Sequence, residues 1–378
     1  MILPKVLILT GNYGNGHLQV AHSLEQELTS MGVSRVLVKD LFYETSPRIH
    51  EWTRRAYLKS YTKGGQHIYR LFYYTSKEIS KRKNLKLLSY GYSKLKKIIA
   101  EEQPDLIVNT FPSFAVPHYH HKTNTKIPTY NVITDYCIHD LWIHPNINKY
   151  YVATKQIEQD LWDRGIEPNR TLVTGIPIHQ SFEESYQRRV LVQKYGLVEN
   201  RKTILIVAGA YGVSKEMAQI CDLLKNDPLL QIIVVCGKNQ ELFDDLTIKY
   251  NGLSHIKILG YVTEMAELLT IATCVVTKPG GLILSEAMAM KTPILIPKAT
   301  PGQEKENAMF FSKVGGAIWS QKTEELAKLT KQLVRNESKL QEMQETLEQL
   351  QAPRSSSKLV TDILQDYYSQ TMTKLKKA

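Results

Sequence analysis

Cysteine is scarce in this sequence. Four stand among 378 residues, Cys137, Cys221, Cys236 and Cys274, too scattered to form a CxxC pair. That excludes a disulfide framework and a Cys-type zinc site, and it suits a reducing cytosol. Long apolar runs are missing too. No window approaches the roughly 18 consecutive apolar residues of a transmembrane helix. The opening MILPKVLILT has no basic n-region and no small-residue cleavage site, so it is expected to be a buried strand and not a signal peptide. Composition is not extreme: 43% hydrophobic and 22% charged residues exclude a disordered or collagen-like chain. A prior of about 150 residues per domain gives two to three domains. Two domains of roughly 180 residues each bury about 70% of their unfolded surface, enough for a core. What is present in excess is positive charge. The net of +11 favours an anionic partner: nucleic acid, a membrane surface or a phosphorylated ligand.

Short apolar runs alternate with longer helical stretches. Strands are expected at Val6–Leu9, Val36–Val38, Leu106–Asn109, Tyr130–Ile133, Tyr150–Ala153 and Thr171–Val173, with a helix over Leu18–Met31. The pattern restarts with Ile204–Val207, Ile232–Val235, Ile256–Leu259, Val275–Val276 and Ile294–Ile296. Strands alternating with helices imply parallel sheets, and two such series imply two doubly wound domains with a cleft between them. The boundary is expected within GIPIHQSF, 175–182, giving domains 1–178 and 179–355. A last helix, 356–378, is expected to pack back on the first domain.

Residues 48–97 break the rhythm. They carry a net charge of +12, more than the whole chain. Aromatic residues are interleaved, among them Trp52, Tyr61, Phe72, Tyr73 and Tyr74, with the basic residues Arg54, Arg55, Lys81, Arg82 and Lys83. This mixture suits an anionic membrane surface. Helical spacing of Leu85, Leu88, Tyr92, Leu95 and Ile99 predicts a helix packed on the sheet. Upstream, a Gly-Gly break within 62–66 predicts two helices joined by a mobile loop.

Three loops carry chemistry. GNYGNGH, 11–17, joins the first strand to the first helix. Its glycines, Gly14 and Gly16 beside Asn15 among them, leave amides exposed at a helix N-terminus. The order is neither that of a dinucleotide loop nor that of a Walker loop, so the motif alone is also an ordinary strand-to-helix turn. His17 is a candidate general base, because imidazole titrates near neutrality. Gly209, Ala210, Tyr211 and Gly212 repeat the device after the first strand of the second domain. The third loop is the most particular: Lys278-Pro279-Gly280-Gly281, then a helix over Leu282–Met290 carrying Glu286 about one turn in. A carboxylate there can accept from both hydroxyls of a ribose while loop amides hold a phosphate. After the next strand, Gln303 and Glu304 offer an amide and a carboxylate suited to sugar hydroxyls, with Asn307 close behind.

TKPGG, SE, PGQE and NA over 277–308, GNGH near the N-terminus and the TDY of 134–136 together resemble bacterial diacylglycerol glucosyltransferases. These are grouped with plant monogalactosyldiacylglycerol synthases and the lipid-linked N-acetylglucosaminyltransferase of peptidoglycan synthesis. The resemblance covers nearly the whole chain. The closest likeness is to the processive enzymes that make glucosyl- and diglucosyldiacylglycerol from UDP-glucose in Firmicutes. Asn12 and Asn15 depart from the run of glycines that many relatives have before the histidine.

The resemblance implies a GT-B fold of two Rossmann-like domains, with the UDP-sugar held mainly by the second. By position, Tyr261 and Val262 match the residues that hold uracil through the backbone. Gly280, Gly281, Leu282 and Ile283 match the diphosphate loop, Glu286 the ribose ligand, and Gln303 with Glu304 the sugar contacts. His17 and Asp135 are the candidate bases on the acceptor side. The implied activity is inverting transfer of glucose to the 3-hydroxyl of 1,2-diacylglycerol, and again to the product. That makes the membrane glycolipid that anchors lipoteichoic acid. No cofactor or metal is implied; UDP-glucose is a substrate. The implied site of action is the cytoplasmic face of the membrane, as a peripheral protein. The rivals are the lipid-linked N-acetylglucosaminyltransferase, a non-enzymatic sensor of UDP-glucose, and a basic nucleic-acid-binding protein. Against the last, no RNA-recognition motif, zinc-finger spacing or recognition-helix pattern is visible.

Overall fold

The computed structural model describes residues 3–13, 15–59, 90–209 and 215–375. Gly14, Tyr61, the 62–66 break, Phe72, Tyr73, Tyr74, Lys81, Arg82, Lys83, Leu85, Leu88, Ala210, Tyr211 and Gly212 lie outside them. The chain divides into two compact units, Met1–His179 with Ala352–Ala378, and Gln180–Gln351.

The first unit is built on a six-stranded parallel sheet of β1 (Val6–Thr10), β2 (Val36–Asp40), β3 (Leu106–Asn109), β4 (Thr129–Val132), β5 (Lys149–Val152) and β6 (Thr171–Val173), in the order β2-β1-β3-β4-β5-β6. β1, β3 and β4 are buried along their full length, as parallel strands covered on both faces must be. The helical stripe of 85–99 is realised from Tyr92 onward. Helix Tyr92–Glu102 starts behind Gly91, at φ 90°, and buries Leu95, Ile98 and Ile99 against Leu7, Leu9 and Ile107 of the sheet.

The last helix, Ser355–Leu375, packs on this unit through polar contacts at a tyrosine-rich face. Asp362 takes Lys149 Nζ and the Tyr151 hydroxyl at 2.7 Å each, and Asp366 takes the Tyr130 hydroxyl at 2.8 Å. Both tyrosines are fully buried, so these carboxylates satisfy groups that would otherwise be orphaned.

The second unit has a parallel sheet of β7 (Lys202–Val207), β8 (Leu230–Val235), β9 (Ile256–Leu259), β10 (Cys274–Thr277), β11 (Ile294–Ile296) and β12 (Ala317–Trp319), in the order β12-β11-β10-β7-β8-β9. Strand β12 was not expected from the sequence. Its three residues are short and partly exposed, and a Gly-Gly pair precedes them, so no apolar run marks it. Gln231, inside β8, is buried but satisfied: its amide bonds both Val198 backbone groups and the Thr203 hydroxyl.

Each sheet reverses its strand order once. In the first the chain steps from β1 to β2, then returns to place β3 on the other side of β1. In the second it runs β7, β8, β9, then places β10 on the other side of β7. Such a reversal opens a crevice at the carboxyl ends of the two strands it separates, where open α/β sheets bind ligands. The glycine loop after β1 and the Lys278 loop after β10 both fall there.

Candidate active site

At the first switch point, β1 runs into the loop carrying His17, the first-turn histidine of helix Gly16–Ser30. The helix begins two residues earlier than its apolar pattern suggests, because Asn15 adopts a left-handed conformation (φ 68°) and turns the chain into it. Gly11 packs on the Phe111 ring, where an added Cβ would sit 3.0 Å away. Asp40, at the end of β2, accepts from the Asn12 amide at 2.9 Å and from the amides of Phe42 and Tyr43. One carboxylate thus ties the glycine loop to the next helix.

His17 reaches across the end of β3. Its Nδ1 lies 2.8 Å from the Thr110 carbonyl oxygen and 2.8 Å from the Thr134 hydroxyl beyond β4. Thr110 Oγ1 donates back to the His17 carbonyl, and the ring meets Phe111 edge-on at 4.9 Å. A carbonyl only accepts, so Nδ1 carries the proton and Nε2 carries the lone pair. Burial of the ring pushes the imidazole down to about 4, against the opposing pull of the Thr110 bond, so the ring is neutral at pH 7. Asp135 follows Thr134 in the bend after β4, partly exposed. Both candidate bases therefore stand at the carboxyl edge of one sheet, with Thr134 linking them. Behind them Asn109 donates to Asn131, which donates to the Trp142 carbonyl, a buried amide chain that fixes the ends of β3 and β4.

At the second switch point, β10 ends in Lys278-Pro279-Gly280 and helix Gly281–Ala289 follows. Gly280 supplies no side-chain cap, so the first-turn amides of Gly281, Leu282 and Ile283 are left for another acceptor. Glu286 sits in the second turn. Its carboxyl has no hydrogen-bond or ion-pair partner among the described residues, and burial pushes it up to about 8. Gln303 and Glu304 open helix Gln303–Val314, and Glu304 Oε2 accepts from the Thr300 amide at 3.1 Å. Asn307 departs from the expected ligand contact. It is fully buried and its Nδ2 donates to the Pro279 carbonyl at 3.0 Å, so it supports the Lys278 loop from beneath.

Lys278 is half-buried; burial draws its ammonium below the ordinary lysine range, while Glu304 and Glu216 oppose that. Across the sheet, Gly209 follows β7 at φ 81°, a conformation that only glycine adopts easily. Tyr261, exposed in the bend after β9, has Lys238 Nζ 5.1 Å from its ring centre, and Val262 follows it, half-buried.

On helix Pro47–Lys59 Trp52 is 71% exposed, and Tyr43 and Ile49 nearby are also exposed. Arg54 and Arg55 both bond Glu51, so the three side chains present one net positive charge, not two. No described helix is long and apolar enough to cross a membrane.

Residues 17–178 match the monogalactosyldiacylglycerol (MGDG) synthase family, and 187–349 match glycosyl transferases group 1. The processive diacylglycerol beta-glucosyltransferase of Bacillus subtilis (strain 168) is 42% identical over 376 residues, covering 99% of this chain and 98% of that protein. The chain belongs to the processive diacylglycerol beta-glucosyltransferase family. The Bacillus pumilus (strain SAFR-032) member is 43% identical over 363 residues, covering 96% of this chain and 94% of its own. Among solved structures, the Staphylococcus aureus MnaA-UDP complex aligns with TM-score 0.64 at 14% identity, over 97% of both chains. Acinetobacter baumannii MurG aligns with TM-score 0.61 at 15% identity, over 96% of this chain and 100% of its own. At such identities these two show the fold alone, GT-B, and lend no support to the peptidoglycan rival.

Sequence reading missed Asp40, Thr110 and Glu216. Thr110 is 93 residues from His17, and only the sheet order brings them together. Asp40 had one signal, its place at a strand end before a helix start, the usual position of a cap.

Proposed function

We propose that this protein transfers glucose from UDP-glucose to the 3-hydroxyl of 1,2-diacylglycerol, and then to the glucosyl product, with inversion at the anomeric carbon. The observation that carries this reading is family identity across nearly the whole chain. The two switch points supply chemistry that fits it. His17 Nε2, unprotonated at neutral pH, accepts the proton of the lipid hydroxyl, and Asp135 is the alternative acceptor. The freed oxygen attacks the anomeric carbon from the face opposite UDP. The departing diphosphate meets the amides of helix Gly281–Ala289 and the Lys278 ammonium, charge stabilisation that asks for no divalent ion. Glu286 takes the ribose hydroxyls, Gln303 and Glu304 the glucose, and Tyr261 with Val262 the uracil.

The product anchors lipoteichoic acid in this reading, and the protein works as a peripheral protein at the cytoplasmic face of the membrane. Trp52, Arg54, Arg55 and the rest of the basic aromatic segment meet anionic lipid there, not nucleic acid. Thin-layer analysis of lipids made from diacylglycerol with UDP-glucose, UDP-galactose and UDP-N-acetylglucosamine tests the donor. Mono- and diglucosyl lipid from UDP-glucose is expected, unchanged by a metal chelator. Product from another donor alone overturns the reading.

A further inference from the structure

Thr134 lies just beyond β4, and it is 4% exposed. Its hydroxyl oxygen is 2.8 Å from His17 Nδ1. The same nitrogen is 2.8 Å from the carbonyl oxygen of Thr110, the residue that follows β3. Strands β3 and β4 are neighbours in the sheet, so the single Nδ1 proton sits between two oxygens that adjacent strands supply. Thr110 also holds the backbone of the same residue, because its hydroxyl donates to the His17 carbonyl at 3.1 Å. Thr134 is the one side chain that hydrogen-bonds the ring among the described residues.

A single acceptor leaves an imidazole free to turn about the line from Nδ1 to that oxygen. A second acceptor from another strand removes this freedom, and so does the Phe111 ring that meets His17 edge-on at 4.9 Å. The fold then sets the direction of Nε2. Energetics adds a second effect. A hydrogen bond to an ionised group is roughly twice as strong as a neutral one. When Nε2 takes a proton the imidazole becomes a cation, and the bonds from Nδ1 to both oxygens strengthen. An interaction that strengthens as the proton moves lowers the barrier and does not merely hold substrate. We propose that Thr134 is a positioning residue for the transfer: its hydroxyl shares the Nδ1 proton of His17, holds Nε2 in one direction and supports the imidazolium that forms when the lipid hydroxyl loses its proton. The proposal rests on the reading that His17 is the base.

The test is steady-state transfer from UDP-glucose to diacylglycerol in vesicles by the full chain, paired with calorimetric titration of UDP. Thr134→Val keeps the shape and removes the hydroxyl. It is expected to lower kcat about tenfold, the size of one hydrogen bond to a charged group. KM for UDP-glucose and affinity for UDP are expected to stay unchanged, since the loss falls on the moving proton. Thr134→Ser restores a hydroxyl and is expected to recover most of the rate. Thr134→Ala makes the same comparison as valine without filling the site. In a His17→Ala background, Thr134→Val is expected to add no further loss, because the group it acts through is gone. Thr134→Val or Thr134→Ala at the wild-type rate, while His17→Ala is inactive, overturns the proposal and leaves the base reading standing. So does a serine variant as slow as the valine one, or an equal loss with and without His17, since either marks a structural role. Near-normal turnover in His17→Ala overturns the base reading itself.

Discussion

The two residues to which the proposed function gives the base and the ribose contact, His17 and Glu286, both hold protonation states set by burial. Glu286 is pushed up to about 8, so at pH 7 the free protein holds it mostly neutral. A ribose diol offers two donors and favours the carboxylate, so binding should expel the proton. UDP affinity should then rise from pH 6.5 to pH 8.5, with release of about one proton at pH 7. Calorimetry in buffers of different ionisation enthalpy reads this directly; affinity that falls with pH contradicts the role. Glu286→Ala should weaken UDP by about 2 kcal/mol, roughly thirtyfold, from two hydrogen bonds to a charged group. For His17, the depressed imidazole is a weak base until substrate seats, but its lone pair is fixed on Nε2 by the Thr110 carbonyl. His17→Ala should lower kcat by about 10²–10⁴ with UDP binding intact. Near-normal turnover in that variant would pass the role to Asp135.

At the scale of elements, the placement of most candidate site residues was legible because they sit in strand-to-helix loops with particular glycines and a particular acid. The positions of His17, Lys278, Gly280, Glu286 and Glu304 all follow from reading which strand each succeeds. What escaped was long-range. Neither the 93-residue step from His17 to Thr110 nor the 117-residue step to Thr134 leaves a mark in local periodicity. Asn307 shows the complementary error. Its place in a sugar-site motif suggested a ligand contact, but its burial makes it the strut between helix Gln303–Val314 and the Pro279 carbonyl. Asn307→Leu should leave that buried carbonyl short of a partner and cost about 1–3 kcal/mol in stability. It should weaken UDP as well, because the loop it supports carries the phosphate amides. Denaturant melts and UDP titration of one variant check both, and a stable variant with normal UDP affinity contradicts the strut.

At the scale of the whole molecule, the first unit carries a set of histidines whose folded state resists charging. Burial depresses His17 and His144 to about 4 and lowers His118 and His120. His118 and His120 shift in the same direction, and for His17 and His144 the unfolded chain binds protons below about pH 6.5, the folded chain only nearer 4. Stability from them is therefore complete above pH 6.5 and lost as pH falls toward 4. Chemical denaturation at pH 7 and pH 5 should show it, with His144→Gln blunting the fall; equal stability at both pH values contradicts it. In the proposed reaction, glucosyl transfer to lipid needs both the donor site after β10 and the base after β1. The most direct measurement is transfer of labelled glucose from UDP-glucose to diacylglycerol in anionic vesicles, by wild type, His17→Ala and Glu286→Ala. Labelled mono- and diglucosyl lipid is expected from wild type, with loss of lipid product in His17→Ala despite normal UDP binding and loss in Glu286→Ala through weakened UDP binding. Absence of labelled lipid from folded, UDP-binding wild type would contradict the proposed reaction.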